Sequence, residues 1–271
     1  MGGALLLFST FAGEAAANNF SPSFCVLCTG YRIPVSCYDE MARAVSADAV
    51  FGDEYQTSPS LGHSARKLEM LVMKESLPRS SVLLVGHSRG GAVATLASLA
   101  SPETRKRVCG LILVDPVDDE LLTVQTALLA ESNYTLEFPI MVISTPFAGE
   151  SSFYNTPYKS VCAPDGRGPN SFFSALKLRA SASLTLITIP SLGHLALLSS
   201  GIKSLPIAHI CGDAVNSNRL IGKDADLLKR TTLDLLSTVA GGRSIIPKLA
   251  ELRQIDRDTK ISIFTRMGAM D

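Results

Sequence analysis

The stretch Leu83-Leu84-Val85-Gly86-His87-Ser88-Arg89-Gly90-Gly91 narrows the fold more than any other part of the chain. An apolar run ends in Gly86-His87-Ser88-Arg89-Gly90, a G-x-S-x-G motif, and a helix candidate rich in small residues follows. Such a motif has chemical meaning in one setting, a buried strand that turns sharply into a helix. Gly86 and Gly90 leave room for that turn, with Ser88 strained on it and its hydroxyl pushed out of the sheet. Gly91 and Ala92 let the next helix pack closely. That helix begins just after Ser88, so its free N–H groups and the positive end of its dipole face any anion formed there.

The rest of the chain repeats the same alternation. Strand candidates are Phe24–Cys28, Ala49–Phe51, Val82–Val85, Leu111–Val114, Ile140–Ser144 and Leu184–Ile189. Helix candidates are Tyr38–Val45, Ala65–Glu75, Gly91–Leu99, Glu120–Ala130 and Asp224–Val239. The last places Leu227, Leu228, Thr231, Leu235 and Val239 on one face and ends at Gly241-Gly242. Strands alternating with helices predict an α/β fold, a mostly parallel central sheet with helices on both faces. At 271 residues the chain suffices for one large domain. Residues 1–23 read as an N-terminal extension, 24–242 as the domain, and 243–271 as a mixed-charge tail with weak pattern. Within the domain, 149–183 is rich in Ser, Pro, Gly and aromatics and longer than an ordinary connection, so it reads as an insertion.

Composition excludes several classes. Basic and acidic residues number 25 each, so no electrostatic footprint for nucleic acid is present. Hydrophobic residues make up 46%, which fits either a large buried sheet or a protein with an apolar ligand and peripheral membrane contact. No apolar run reaches the roughly 18 residues of a membrane span. Met1 to Phe8 is apolar but the first basic residue is Arg32, a poor match to a signal or transit peptide. Six cysteines are too sparse for a disulfide scaffold. Cys25-x-x-Cys28 lies on a strand candidate, without a second pair, and reads as packing rather than as a metal or redox site. No metal or cofactor is expected.

A serine hydroxyl is inert near neutral pH without a base, and the base needs an acid to orient it. The chain has four histidines. His87 shares the turn with Ser88, and its side chain is expected to point away from the site as packing. His63 reads as a helix-start or surface residue, and His209 as a core histidine. His194, in Pro190-Ser191-Leu192-Gly193-His194, directly follows the last strand candidate. Sites in open α/β sheets form at the carboxyl ends of strands, and the order serine, acid, histidine places the base late in the chain. His194 is therefore the expected base. Asp115, immediately after Leu111–Val114, is the favoured acid, with Glu150 beyond the following strand as its rival. Pro116 helps hold the turn after Asp115. Asp118 and Asp119 read as solvated caps of the next helix. Two backbone N–H groups are expected to stabilise an oxyanion, those of Arg89 and of Tyr31 in Thr29-Gly30-Tyr31. The Arg89 side chain is given no catalytic role.

These residues resemble a known family. Gly86-His87-Ser88-Arg89-Gly90-Gly91 is similar to the elbow of the chlorophyllases, which favour arginine after the serine. Leu113-Val114-Asp115-Pro116-Val117-Asp118 resembles the family's strand and DPVDG segment, whose first aspartate is its catalytic acid. Pro139-Ile140-Met141-Val142-Ile143 with Gly149-Glu150 resembles its next strand and loop. Cys162-Ala163-Pro164-Asp165-Gly166 with Phe172-Phe173 resembles its CAPEG…FF segment. Gly193-His194, His209-Ile210-Cys211 and the closing helix follow its pattern too. The resemblance covers roughly residues 24 to 240. The family has histidine where Thr29 stands and Met-Asp where Leu195-Ala196 stand.

The resemblance implies an α/β-hydrolase fold and hydrolysis of the phytyl ester of chlorophyll through Ser88, His194 and Asp115, without a cofactor. It implies a hydrophobic ester as partner and placement in the chloroplast. Phe153, Tyr154, Tyr158, Phe172 and Phe173 then either cover the substrate or pack the insertion onto the sheet. Two other readings stay open: a general esterase or lipase for other hydrophobic esters, and a non-catalytic pigment- or lipid-binding relative.

Overall fold

The computed structural model describes residues 22–52, 60–74, 81–118, 123–130, 134–145, 167–199, 202 and 223–265. In chain order the elements are β1 (Phe24–Cys28), a 3-10 turn (Val35–Tyr38), α1 (Asp39–Ala44), β2 (Ala49–Phe51), α2 (Leu61–Val72), β3 (Val82–His87), α3 (Arg89–Leu99) and α4 (Pro102–Arg107). Then come β4 (Val108–Val114), α5 (Thr123–Ala130), β5 (Ile140–Ser144), α6 (Pro169–Leu176), β6 (Ser183–Thr188), α7 (Lys223–Ala240), α8 (Ile246–Ile255) and β7 (Lys260–Thr265).

Among the described residues seven strands form one sheet in the order β2-β1-β3-β4-β5-β6-β7. All neighbours are parallel except β6 and β7. The chain builds β2 on one side of β1 and then β3 on the other, so the strand order reverses between β1 and β3. A crevice opens at such a reversal, outside the carboxyl ends of the strands.

Alternation along each strand divides the core in two. Cys25, Leu27, Leu83, Val85, Ile112, Val114, Met141 and Ile143 pack against α1, α7 and α8. Val26, Cys28, Leu84, Leu111, Leu113, Ile140 and Val142 pack against α2, α3, α5 and α6. Both faces are covered, which is why β3, β4 and β5 read as nearly continuous apolar runs. In β3 every residue is buried. Cys25 and Cys28 point into opposite cores, and burial pushes the Cys25 thiol up to about 12. They pack as small apolar side chains on two sides of the sheet.

The helices follow from local signals. The Ser60 hydroxyl caps α2 by accepting the His63 N–H at 3.0 Å, so His63 sits in an exposed helix start as expected. In α3 only Leu96 among Arg89–Leu99 is partly exposed, and Gly and Ala allow that helix to lie under others. The buried stripe of α7 is Leu228, Thr231, Thr232, Leu235, Leu236 and Val239; Leu227, expected on it, is instead 38% exposed.

The C-terminal segment departs from expectation. Residues expected to form a tail beyond the domain supply α8, whose Leu249 and Leu252 enter the core, and β7, whose six residues pair with β6. Lys260-Ile261-Ser262-Ile263-Phe264-Thr265 does alternate, but over only six residues in a charged neighbourhood. In the insertion, α6 is a further helix not foreseen. Its Phe172 is fully buried among Leu136, Val142 and Leu176, so this aromatic packs the insertion onto the sheet. Residues 146–166 lie outside the described residues, with Phe153, Tyr154, Tyr158 and Glu150, as do residues 1–21, His209, Cys162 and Cys211.

Candidate active site

Ser88 stands between β3 and α3 with φ 54 and ψ −128. A non-glycine residue at such φ is sterically strained, at about 1–3 kcal/mol, and persists only where its surroundings dictate it. Here they do. The Ser88 N–H donates to Val114 O of β4 at 3.0 Å, and Ser88 O accepts from Gly91 N (2.9 Å) and Val117 N (3.1 Å). The glycines of the motif are needed for space. A Cβ on Gly86 would lie 2.5 Å from Gly90 O, and one on Gly90 would lie 2.3 Å from Cys28 O. The turn therefore closes onto both α3 and the end of β1.

Asp115 follows β4 and is also strained, with φ 44. Its N–H donates to Ile143 O at 2.7 Å. Its carboxylate is buried and fully used. Oδ1 accepts the Thr145 N–H at 3.0 Å, and Oδ2 meets His194 Nδ1. His194, on the loop after β6, is 3% exposed, and Asp115 is 1% exposed. Residues 79 positions apart thus form a buried carboxylate–imidazole pair. With Nδ1 directed at Asp115, His194 keeps the tautomer in which Nε2 accepts a proton. The rival acid, Glu150, lies outside the described residues.

The loop after β1 lies directly against the serine. A Cβ on Gly30 would stand 3.1 Å from the Ser88 Cβ. Gly30 N–H donates to the Tyr38 hydroxyl at 2.6 Å, so the next amide along this loop is that of Tyr31. The Arg89 guanidinium lies over the Tyr31 ring, 5.3 Å from its centroid, and Arg32 over the same ring at 5.0 Å. Arg89 is 4% exposed, so its side chain is a buried prop for the Tyr31 loop rather than a surface group.

Two aspects of the site depart from the sequence reading. His87 does not point away. It is fully buried between Tyr38 and His194, with its Nδ1 2.8 Å from Tyr38 Oη and its Nε2 2.8 Å from the His194 carbonyl. Its ring centroid is 4.9 Å from that of His194. β3 extends two residues beyond the expected Val85, through His87, whose ring meets the carbonyl of the histidine loop. Asp118 caps α5 as foreseen, accepting the Val124 N–H at 2.7 Å, but it is buried rather than solvated.

Sequence reasoning missed Tyr38 and Asp256. Tyr38, read as a helix start, reaches the site through its hydroxyl. Asp256, placed in the tail, is 5% exposed and accepts the Ser191 N–H at 3.0 Å, three residues before His194. Among the described residues no cluster of three His, Cys, Asp or Glu could hold a metal ion.

A strained serine at a helix start, and a buried imidazole whose Nδ1 faces a carboxylate on the loop after the neighbouring strand, are the components of an acyl-transfer site. Among curated proteins none matches the chain. Solved structures that resemble it include thioesterase domains. The Vlm2 thioesterase domain bound with a tetradepsipeptide is 18% identical, over 73% of this chain and 93% of that one, with a TM-score of 0.40. The NocB thioesterase domain in covalent complex with a fluorophosphonate nocardicin G analog is 16% identical, over 78% and 97%, with a TM-score of 0.42. The RedJ thioesterase of Streptomyces coelicolor is 12% identical, over 71% and 91%, with a TM-score of 0.42. The family model described as Chlorophyllase matches residues 64–223, from α2 to the start of α7, and so spans the serine turn, the Asp115 loop and the His194 loop. With more than half its length so matched, the chain belongs to the chlorophyllase family and is a serine ester hydrolase of α/β-hydrolase fold.

Proposed function

We propose that the protein hydrolyses the phytyl ester of chlorophyll to chlorophyllide and phytol, with Ser88, His194 and Asp115 as its catalytic residues. The observation that supports this reading is the buried Asp115–His194 pair, together with the strained Ser88 turn, in a chain of the chlorophyllase family. Ser88 Oγ attacks the propionyl ester carbonyl while His194 Nε2 takes its proton. The tetrahedral oxyanion is stabilised by the Tyr31 and Arg89 amides, each such donor being worth about 10²–10³ in rate. Collapse breaks the bond to the phytyl oxygen, which receives the proton from His194. Water, deprotonated by His194, then releases chlorophyllide from the acyl-enzyme. Asp115 holds the imidazole and stabilises its charged form without taking the proton.

The test is release of chlorophyllide from chlorophyll a in detergent by the wild type and by Ser88→Ala. Turnover by the wild type, reduced about 10³-fold or more in the variant, is the expected result. If the wild type leaves chlorophyll intact but cleaves p-nitrophenyl esters through Ser88, the protein is a general esterase. Thr29 and Leu195, which replace family residues and are both buried beside the site, give that second reading its ground.

A further inference from the structure

Tyr38 and His87 lie outside the acyl-transfer steps, yet their polar atoms all end on the loops that carry those steps. The polarity of the bonds follows from chemistry alone. The His194 carbonyl can only accept, so His87 Nε2 carries the proton and donates. Burial, and next the nearby His194, push the His87 imidazole down to about 3, so it is neutral. Its Nδ1 is then an acceptor, and the Tyr38 hydroxyl donates to it. The Tyr38 oxygen in turn accepts the Gly30 N–H. One uninterrupted chain runs from Gly30 through Tyr38 and His87 to the His194 backbone. Gly30, Tyr38 and His87 are all buried, and each step has a single proton arrangement.

We infer that Tyr38 and His87 are positioning residues that fix the oxyanion loop and the histidine loop at one spacing, by clamping Gly30 at one end and the His194 backbone at the other. The inference rests on the assignment of Ser88, His194 and the Tyr31 amide above. The two ends of the chain are main-chain groups, so no proton passes along it. Its effect is geometric. The bond to Gly30 commits that N–H to Tyr38 and leaves the following amide, that of Tyr31, to meet the oxyanion. The bond to His194 sets the height of the imidazole over the turn. Ser88 follows His87 directly, and a Cβ on Gly30 would stand 3.1 Å from the Ser88 Cβ. A link of this kind matters where charge develops, in the transition state, and contributes little to holding the ground-state ester.

Tyr38→Phe removes one oxygen and both of its bonds. The measurement is kcat and KM on chlorophyll a or p-nitrophenyl butyrate, with the affinity of a trifluoromethyl ketone that forms a tetrahedral adduct on Ser88. The expected result is a fall in kcat of about 10- to 100-fold, a proportionate fall in ketone affinity and a KM within about two-fold of wild type. His87→Gln is the second variant and is expected to show the same split, including where Tyr38→Phe fails to fold. A folded variant of either kind with wild-type kcat and ketone affinity overturns the inference, as does a rise in KM that accounts for the whole loss. Ser88→Ala separates this from the underlying reading: wild-type activity that survives it removes the serine mechanism itself, whatever the other variants do.

Discussion

His87 shows how far burial alone can set a side chain's chemistry. Its imidazole is pushed from the ordinary 6.5 down to about 3, by desolvation first and by the neighbouring His194 next. The unfolded chain therefore binds a proton that the folded protein refuses, and stability falls as pH drops from about 6.5 toward 3. The contribution of this one residue is about 1.4 kcal/mol for each pH unit within that window. Urea unfolding at pH 7 and pH 5 is expected to show this loss in the wild type and a flatter dependence in His87→Gln. Equal slopes would mean that His87 is protonated in the folded state. The sequence placed this histidine on the turn but could not aim it, because its partners Tyr38 and His194 lie 49 and 107 positions away. The strain at Ser88 and the burial of Asp115 were legible, since a serine between Gly86 and Gly90, and an aspartate at the end of an apolar run before Pro116, each declare their local backbone.

At the scale of elements, the loops of the candidate site are each held by a neighbour that the local sequence does not name. The Asp115 loop is tied to the end of β5 through Thr145 and Ile143. The His194 loop is tied to the C-terminal segment, where Asp256 accepts from Ser191 and from Asp258. Loss of the Asp256 carboxylate leaves the Ser191 N–H short of an acceptor, a defect that costs about 1–3 kcal/mol when buried. Asp256→Ala is expected to lower kcat several-fold with KM little changed, while Asp256→Asn, which keeps an oxygen at the same place, restores most of the rate. Identical kinetics in the alanine variant would reduce Asp256 to a structural cap. Helix and strand positions in the central part of the chain were legible because the parallel strands are short and mostly apolar. β7 was not. Among the described residues it pairs with β6 alone, and that pairing depends on a contact no local pattern encodes.

For the whole molecule, the sheet order decides where the chemistry can sit. The reversal between β1 and β3 brings the Gly30 loop beside Ser88, and the run β3-β4-β5-β6 delivers Asp115 and His194 to the same edge. β7 closes the far side of this sheet. A chain truncated after Asp256 exposes the edge of β6 and is expected to lose about 1 kcal/mol for each net ladder hydrogen bond removed, with increased self-association. Urea midpoints and light scattering of the truncated and full chains check this; unchanged values would make β7 dispensable. By itself the sequence determined the strand–helix alternation, the serine turn and the candidates for base and acid. Each of these follows from apolar periodicity or from the conformational demands of a few adjacent residues. Only the tertiary structure decided that Asp115 meets His194, that Tyr38 and His87 bridge the two loops, and that the last segment belongs to the domain. Such facts depend on contacts between residues tens of positions apart, and those exist only once the sheet has set its strand order.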